Sequence, residues 1–131
     1  MQSSFSARPN IALPMLVLIA AILSLFLMNG PEQTPLGPAV PMDFAENRGA
    51  KDWSPAQKNR FVKDKDNQWP LTDDQIRLRG SRAPLQWLPE TEQCRYMSQF
   101  VKVLQKYGLD NRPEEMQRLR SLRQQCYTQF Q

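Results

Sequence analysis

Residues 89–126 read PETEQCRYMSQFVKVLQKYGLDNRPEEMQRLRSLRQQC and decide the fold. Apolar residues recur at the three- and four-residue spacing of a single helix face, first at Cys94, Met97, Val101 and Leu104, then at Met116, Leu119, Leu122 and Cys126. Between the two runs, Gly108 stands where a helix C-terminal cap belongs, and Pro113 is suited to the first position of a second helix. The short connection predicts an antiparallel helical hairpin.

The two cysteines of the chain lie at matching distances from the hairpin loop. Cys94 is 13 residues before Tyr107, and Cys126 is 13 residues after Pro113. Each is therefore about 20 Å from the turn, so the two sulfurs should meet and form a disulfide at the open end. In the chain-entropy model this bond contributes about 3–4 kcal/mol. The alternative is a redox-catalytic pair, which the absence of Cys-x-x-Cys spacing disfavours.

The segment before the hairpin predicts further short helices. Ser54-Pro55 is an N-cap followed by a first-turn proline, which predicts a helix through about Lys63 with Phe61 and Val62 on its buried side. Residues 64–82 are charged and irregular, apart from a turn or short helix near residues 72–78. Period-two alternation is almost absent, so strands are poorly supported and the predicted fold class is mainly α.

Residues 11–28, IALPMLVLIAAILSLFLM, contain no charge and are just long enough to span a bilayer. We therefore predict a single transmembrane helix. The alternative is a cleaved signal peptide, although the run is longer than a signal's usual apolar stretch and no small-x-small site follows it. Arg8 precedes the run, and residues 29–45 carry no Lys or Arg.

The positive-inside rule then gives the topology of the chain. Residues 1–10 form a cytoplasmic tail and residues 11–28 cross a bacterial inner membrane. The proline-containing stretch 29–41 is a tether, and residues 42–131 form a helical domain in the periplasm or outside the cell. This location agrees with the predicted disulfide, because disulfides persist in oxidising compartments.

Composition limits the chemistry. The 131 residues include 17 Lys plus Arg and 13 Asp plus Glu but no His, which excludes Ser-His and Cys-His pairs and the commonest zinc ligand. A length of 131 residues fits one domain at most. The net charge of +4 is a weak bias toward anionic partners.

The order of several short motifs over about residues 38–127 resembles secreted HNH-type endonucleases, in particular the branch related to the C-terminal domain of GmrSD restriction enzymes. In chain order the motifs are Val40-Pro41-Met42, Gly49-Ala50-x-x-Trp53-Ser54-Pro55-Ala56, Phe61-x-x-Asp64-x-x-Asn67, Arg77-x-x-Gly80, Pro84-x-x-Trp87-Leu88-Pro89, Cys94-x-Tyr96, Val101-x-x-x-x-Lys106-Tyr107-Gly108-Leu109 and a final Cys126.

The resemblance implies a ββα-metal core in which a divalent ion and a histidine base hydrolyse nucleic acid. The family's Asp-His-Ile-Val-Pro-Leu motif falls on residues 37–42, so Gly37 replaces its Asp and Pro38 replaces its catalytic His. The Asn and Asp of its Asn-Arg-x-Lys-Gly-Asp motif fall on Ile76 and Ser81. Hydrolysis needs a positioned base and a cation, so the resemblance implies a pseudoenzyme with no catalytic residue, metal site or cofactor.

One alternative enzyme site remains. Carboxylates can ligate magnesium, so a relocated site could use Asp64, Asp66, Asp73 and Asp74. Because Lys63 and Lys65 are interleaved with the first two, solvated loop charges are the favoured interpretation.

The cationic part of the family pattern is still present, as Arg77, Arg79 and Arg82. The resemblance implies that these arginines contact substrate phosphate. Trp69 and Trp87 flank them and could stack on single-stranded bases, although both are more typical of a small domain's core. For the three arginines, a solvated face is the competing interpretation.

Three functions follow from these observations. The first is a membrane-anchored, exported, non-catalytic binding or scaffold module for nucleic acid or a protein partner. The second is an active nuclease with a relocated metal site. The third is a structural subunit of an envelope membrane complex. The sequence does not define an oligomeric state.

Overall fold

The structure, a computed structural model, describes residues 12–28 and 33–129. The chain divides into two compact units, Met1–Gln33 and Thr34–Gln131. The described part of the first unit is helix α1 (Ala12–Met28) together with Gln33. Across the described residues, no helix combines the length and the apolar character needed to cross a membrane. The predicted cytoplasmic tail and residues 29–32 of the predicted tether lie outside the described residues.

The second unit is mainly helical, as predicted. Its elements are β1 (Leu36–Pro38), α2 (Met42–Glu46), α3 (Pro55–Lys63), β2 (Gln68–Pro70), α4 (Asp73–Arg79), α5 (Gln93–Lys106) and α6 (Pro113–Gln129), with 3-10 turns at Ala50–Asp52 and Lys65–Asn67. Helix α5 contributes the largest share of the buried core, and its buried residues are Tyr96, Met97, Phe100, Val101, Val103 and Leu104.

The helical hairpin predicted from residues 89–126 is confirmed. Helix α5 ends at Lys106, and Gly108 two residues later has a φ of 64°, the left-handed conformation that glycine adopts without strain. Pro89-Glu90-Thr91 could also start this helix, but α5 begins only at Gln93, because Glu92 takes a left-handed φ of 54°. The Cys94–Cys126 disulfide is present with its Cα atoms 5.6 Å apart. It joins α5 to the outer half of α6, whose only buried residues among those described are Met116 and Leu119.

Local rules explain the starts of α3 and α4. The Ser54 hydroxyl accepts the Gln57 N–H while the Gln57 side-chain oxygen accepts the Ser54 N–H, and Thr72 and Gln75 repeat this arrangement at α4. Both capping boxes satisfy helix N–H groups that would otherwise lack partners. The predicted helices at 54–63 and 72–78 are therefore confirmed, although Val62 is 37% exposed rather than buried.

The structure contains a two-stranded antiparallel sheet that the sequence did not indicate. Leu36 pairs with Pro70, Gly37 with Trp69, and Pro38 with Gln68. Strands of three residues are too short to show an alternation of apolar and polar side chains. Each of these strands also ends in proline, a residue that is rare in strands. Since β1 lies within residues 29–41, the folded unit begins inside the predicted tether rather than at Met42.

Residues 38–40, at and just after the end of β1, are held by hydrogen bonds to residues that are distant in sequence. The Asn67 backbone carbonyl accepts the Ala39 N–H at 2.8 Å, and its side-chain oxygen accepts the Val40 N–H at 2.8 Å. The Asn67 amide group also donates to the carbonyls of Val40 at 3.2 Å and Phe61 at 3.1 Å. Asn67 has no exposed surface, so these bonds are sheltered from water.

We expect Asn67→Ala to lower the free energy of unfolding by about 2–4 kcal/mol, because it leaves the buried groups of Val40 and Phe61 without partners. Urea denaturation of the full chain measures the change. The matched control is Asn59→Ala on the exposed side of α3, which should change stability by less than about 0.5 kcal/mol. Equal losses in both variants would contradict the role of Asn67.

We expect the double substitution Cys94→Ser and Cys126→Ser to cost about 2–5 kcal/mol, because it frees the ends of the hairpin in the unfolded chain. Denaturation with and without a thiol reductant checks this. The reductant should reproduce the loss in the natural chain and leave the double variant unchanged. Ser121→Ala, an exposed change on α6, serves as the control.

Candidate functional site

Two of the four positions that the resemblance aligns with nuclease catalytic groups, Gly37 and Ile76, are filled by apolar packing. Gly37 is buried in β1, and a Cβ added there would lie 3.0 Å from Ile76 Cδ1 and 3.8 Å from Leu71 Cδ1. A side chain at position 37 would require Ile76 Cδ1 to move by a few tenths of an ångström, because a contact of 3.0 Å is tighter than most Cβ contacts in proteins. Gly37 and Ile76, aligned with an Asp and an Asn of the family, therefore contact one another as an apolar pair.

Arg79 is buried and lies beside this pair in sequence and in space. Its guanidinium donates to the carbonyl of Pro38 and, at 3.3 Å, to that of Ala39. The Tyr96 hydroxyl donates to the same Ala39 carbonyl at 2.9 Å. Burial raises the pKa of Tyr96, and the nearby Arg79 charge partly offsets this. Arg79 Nε has no hydrogen-bond partner among the described residues. Arg79 thus supports the buried segment after β1.

Arg77 and Arg82 are exposed, so the structure does not present the three predicted phosphate-contacting arginines as one surface. Arg77 forms an ion pair with Asp74 one turn earlier on α4. Arg82 lines a groove together with Arg48 and Glu115, which form a bidentate ion pair with a shortest N–O distance of 2.6 Å. A phosphate near Arg82 would therefore meet the Glu115 carboxylate as well as two arginines.

The aromatic residues proposed as stacking platforms belong to the core. Trp69 is buried, and its ring centroid lies 5.5 Å from that of Tyr96 in an edge-to-face arrangement. Trp87 contacts the other side of Tyr96 at 5.8 Å and is partly buried. The core interpretation favoured for both residues is confirmed.

The aspartates considered as a relocated metal site are not brought together. Within residues 12–28 and 33–129, no three or more His, Cys, Asp or Glu side chains form a group that could hold a metal ion. Asp73 and Asp74 lie in the first turn of α4. Asp64 and Asp66 instead bind the lysines of α5.

Lys106 bridges the two carboxylates, with its Nζ 2.6 Å from Asp64 Oδ2 and 2.9 Å from Asp66 Oδ2. Lys102 Nζ lies 3.1 Å from Asp66 Oδ1, and the Tyr107 hydroxyl donates to Asp64 Oδ2 at 2.5 Å. These contacts attach the end of α5 to the turn after α3. They also occupy the oxygens that a magnesium ion would need.

The hydrogen bonds and ion pairs of this network shift the pKa values of the residues that form it. Burial alone would raise the pKa of Asp64, but hydrogen bonds from Lys106, Tyr107 and the Asp66 N–H outweigh it and lower that pKa to about 2. Hydrogen bonds from Lys106 and Lys102 lower the pKa of Asp66, and the two carboxylates raise the pKa of Lys106. Burial, and then the bond to Asp64, raise the pKa of Tyr107. Both carboxylates are therefore ionised at neutral pH.

Beside this network is an open cleft of about 400 Å³, which we call the Trp53 cleft; it is lined by Trp53, Gln57, Arg60, Lys106 and Tyr107. The turn before α3, the exposed side of α3 and the end of α5 bring these residues together. Local sequence does not group these residues, because Arg60 and Lys106 are 46 positions apart in the chain. The one sequence feature that could have indicated the cleft is the mixture of aromatic and basic residues in both Trp53–Arg60 and Lys106-Tyr107.

No family model matches the chain, and no solved structure matches it. The chain is similar to an uncharacterized secreted protein of Arthroderma benhamiae, with 29% identity over 91 residues. The match covers 66% of this chain and 45% of that protein, so this chain spans less than half of the relative's length.

We expect Asp64 to make stability fall at low pH. Its folded pKa of about 2 lies below the value of about 3.9 for an unfolded chain, so its contribution is complete above about pH 4 and is lost as pH falls toward 2. Tyr107→Phe removes one hydrogen bond and should raise the Asp64 pKa toward its ordinary value. Carboxyl chemical shifts measured by NMR give the pKa directly. Tyr127→Phe, on exposed α6, is the control and should leave it unchanged.

Proposed function

We propose that this chain is an exported binding module with a nuclease-like ancestry that does not hydrolyse nucleic acid. The observation that carries the proposal is the close packing of Gly37 against Ile76, where the resembling enzymes require an acid and an amide. Apolar contact supplies neither a base for water nor an oxygen ligand for a cation. The alternative of a relocated site has less support, because Lys102 and Lys106 bind the carboxylates of Asp64 and Asp66.

Export is supported by two observations. The relative in Arthroderma benhamiae is described as secreted. The Cys94–Cys126 bond is a stable link in oxidising compartments and is rare in the cytosol. For the first unit we propose that the apolar run 11–28 directs export and holds the chain at a membrane, because it carries no charge. A bacterial inner membrane and a periplasmic domain remain predictions.

For the ligand we propose nucleic acid held through its phosphates by Arg77 and Arg82. Both side chains are exposed, and arginine forms bidentate hydrogen bonds with phosphate. Glu115 and Asp74 lie close to these arginines, which favours weak, sequence-independent binding. If no nucleic acid binds, the ligand of this chain is instead a protein partner or a larger envelope complex.

A cleavage assay tests the loss of catalysis. The full chain in mild detergent should not cut plasmid DNA or RNA above background, with or without millimolar magnesium. Magnesium-dependent cleavage that disappears in Asp64→Asn would refute the proposal and establish the relocated site.

A binding assay tests the ligand. The double variant Arg77→Ala and Arg82→Ala should weaken binding to all sequences alike and flatten the log–log salt dependence by about one unit for each lost phosphate contact. The control removes the same charge elsewhere, with Lys51→Ala and Arg120→Ala. If the control and the test variant lose equal affinity, the contact is not localised at Arg77 and Arg82.

A further inference from the structure

The Trp53 cleft combines a cationic surface with an aromatic floor. Five cations belong to the end of α3, the turn after it and the end of α5, namely Arg60, Lys63, Lys65, Lys102 and Lys106. The acids within the same network are Asp64 and Asp66, each of which already binds lysine. The surface around the cleft therefore keeps an excess of positive charge, which attracts anions.

The polar groups that line the cleft are hydrogen-bond donors. The Gln57 side-chain oxygen is already bound to the Ser54 N–H, so its amide N–H groups are left for a ligand. An ammonium has three N–H donors, and Asp64 and Asp66 take two of those on Lys106. The Arg60 side chain is exposed at the cleft, and its guanidinium offers several N–H donors in a fixed planar arrangement. A group that accepts several hydrogen bonds, such as phosphate, fits this set.

The aromatic floor is held in place before any ligand arrives. The Trp53 ring lies 5.4 Å from Phe61, nearly edge-to-face at 68°, and 5.7 Å from Tyr107 at 43°. Trp53 is only half-buried, so part of its indole remains open to the cleft. A pre-positioned ring can stack on a planar group without losing further side-chain freedom.

We propose that the Trp53 cleft binds a nucleotide unit, with the base against Trp53 and the phosphate at Arg60 and Lys106. The cleft volume of about 400 Å³ lies within the usual range for small-ligand sites. The unit can come from a free mononucleotide or from the end of a single-stranded nucleic acid, since both carry the same base and phosphate. The site involves neither Arg77 nor Arg82 and does not depend on the loss of catalysis.

Isothermal titration of the full chain in mild detergent at low salt tests this site, with adenosine monophosphate as the first probe. Adenosine and ribose 5-phosphate each lack one half of the ligand, so both should bind about tenfold more weakly or worse. An oligothymidylate with a 5′ phosphate distinguishes the sources. In the double variant Arg77→Ala and Arg82→Ala, which lacks the phosphate contacts proposed above, tighter binding of the oligomer than of the mononucleotide assigns the site to nucleic-acid ends, and the reverse assigns it to free nucleotide.

Substitutions localise the binding. Arg60→Gln should weaken adenosine monophosphate binding by about tenfold or more, because it removes a charge-assisted contact with phosphate. The matched control is Lys63→Gln on the same cationic surface but outside the cleft, where we expect a change below about twofold. Trp53→Leu should also weaken binding, and its circular dichroism spectrum establishes whether it folds.

Two results would overturn the proposal: no binding of any probe to the natural chain, or equal losses in Arg60→Gln and Lys63→Gln. The double variant Arg77→Ala and Arg82→Ala should keep full affinity for adenosine monophosphate. Failure at the Trp53 cleft can therefore be distinguished from failure of the proposed phosphate contacts on α4 and the loop that follows it.

Discussion

The fold depends on satisfying the buried backbone of residues 38–40. This segment lies in the core, where an unpaired carbonyl or N–H group costs about 1–3 kcal/mol. Asn67 binds the N–H groups of Ala39 and Val40, while Arg79 and Tyr96 bind the carbonyls of Pro38 and Ala39. These partners come from the turn after α3, from α4 and from α5. One short extended segment thereby fixes where three helical regions meet.

The same constraint explains why Arg79 is buried while Arg77 and Arg82 remain exposed. Arg79 carries a permanent charge, and burial of such a charge is unfavourable unless it is hydrogen-bonded. The carbonyls of Pro38 and Ala39 supply those bonds, and Nε, which has no partner within residues 12–28 and 33–129, indicates that the match is incomplete. Pro38 has no backbone N–H group that would need an acceptor. Its carbonyl is therefore the one backbone group at this position that needs a partner, and Arg79 donates to it.

Features governed by neighbouring residues could be predicted from the sequence, and features governed by distant contacts could not. The capping residues Ser54 and Thr72, the glycine at 108 and the equal spacing of Cys94 and Cys126 all express local geometry. Burial of Arg79 depends on a carbonyl about forty residues away, and local sequence gives no sign of it. The Trp53 cleft likewise requires knowing that the end of α5 contacts the turn after α3.

The disulfide also determines how the domain responds to mechanical force. Tension applied to the chain beyond Cys126 passes through the sulfur bridge into the first turn of α5, which is the most deeply packed helix. Helix α6, which contributes only Met116 and Leu119 to the described core, lies outside that load path. Residues 95–106 of α5 lie inside the same disulfide-closed loop, so such a pull loads the chain before Cys94 and leaves the hairpin between the two cysteines unstretched.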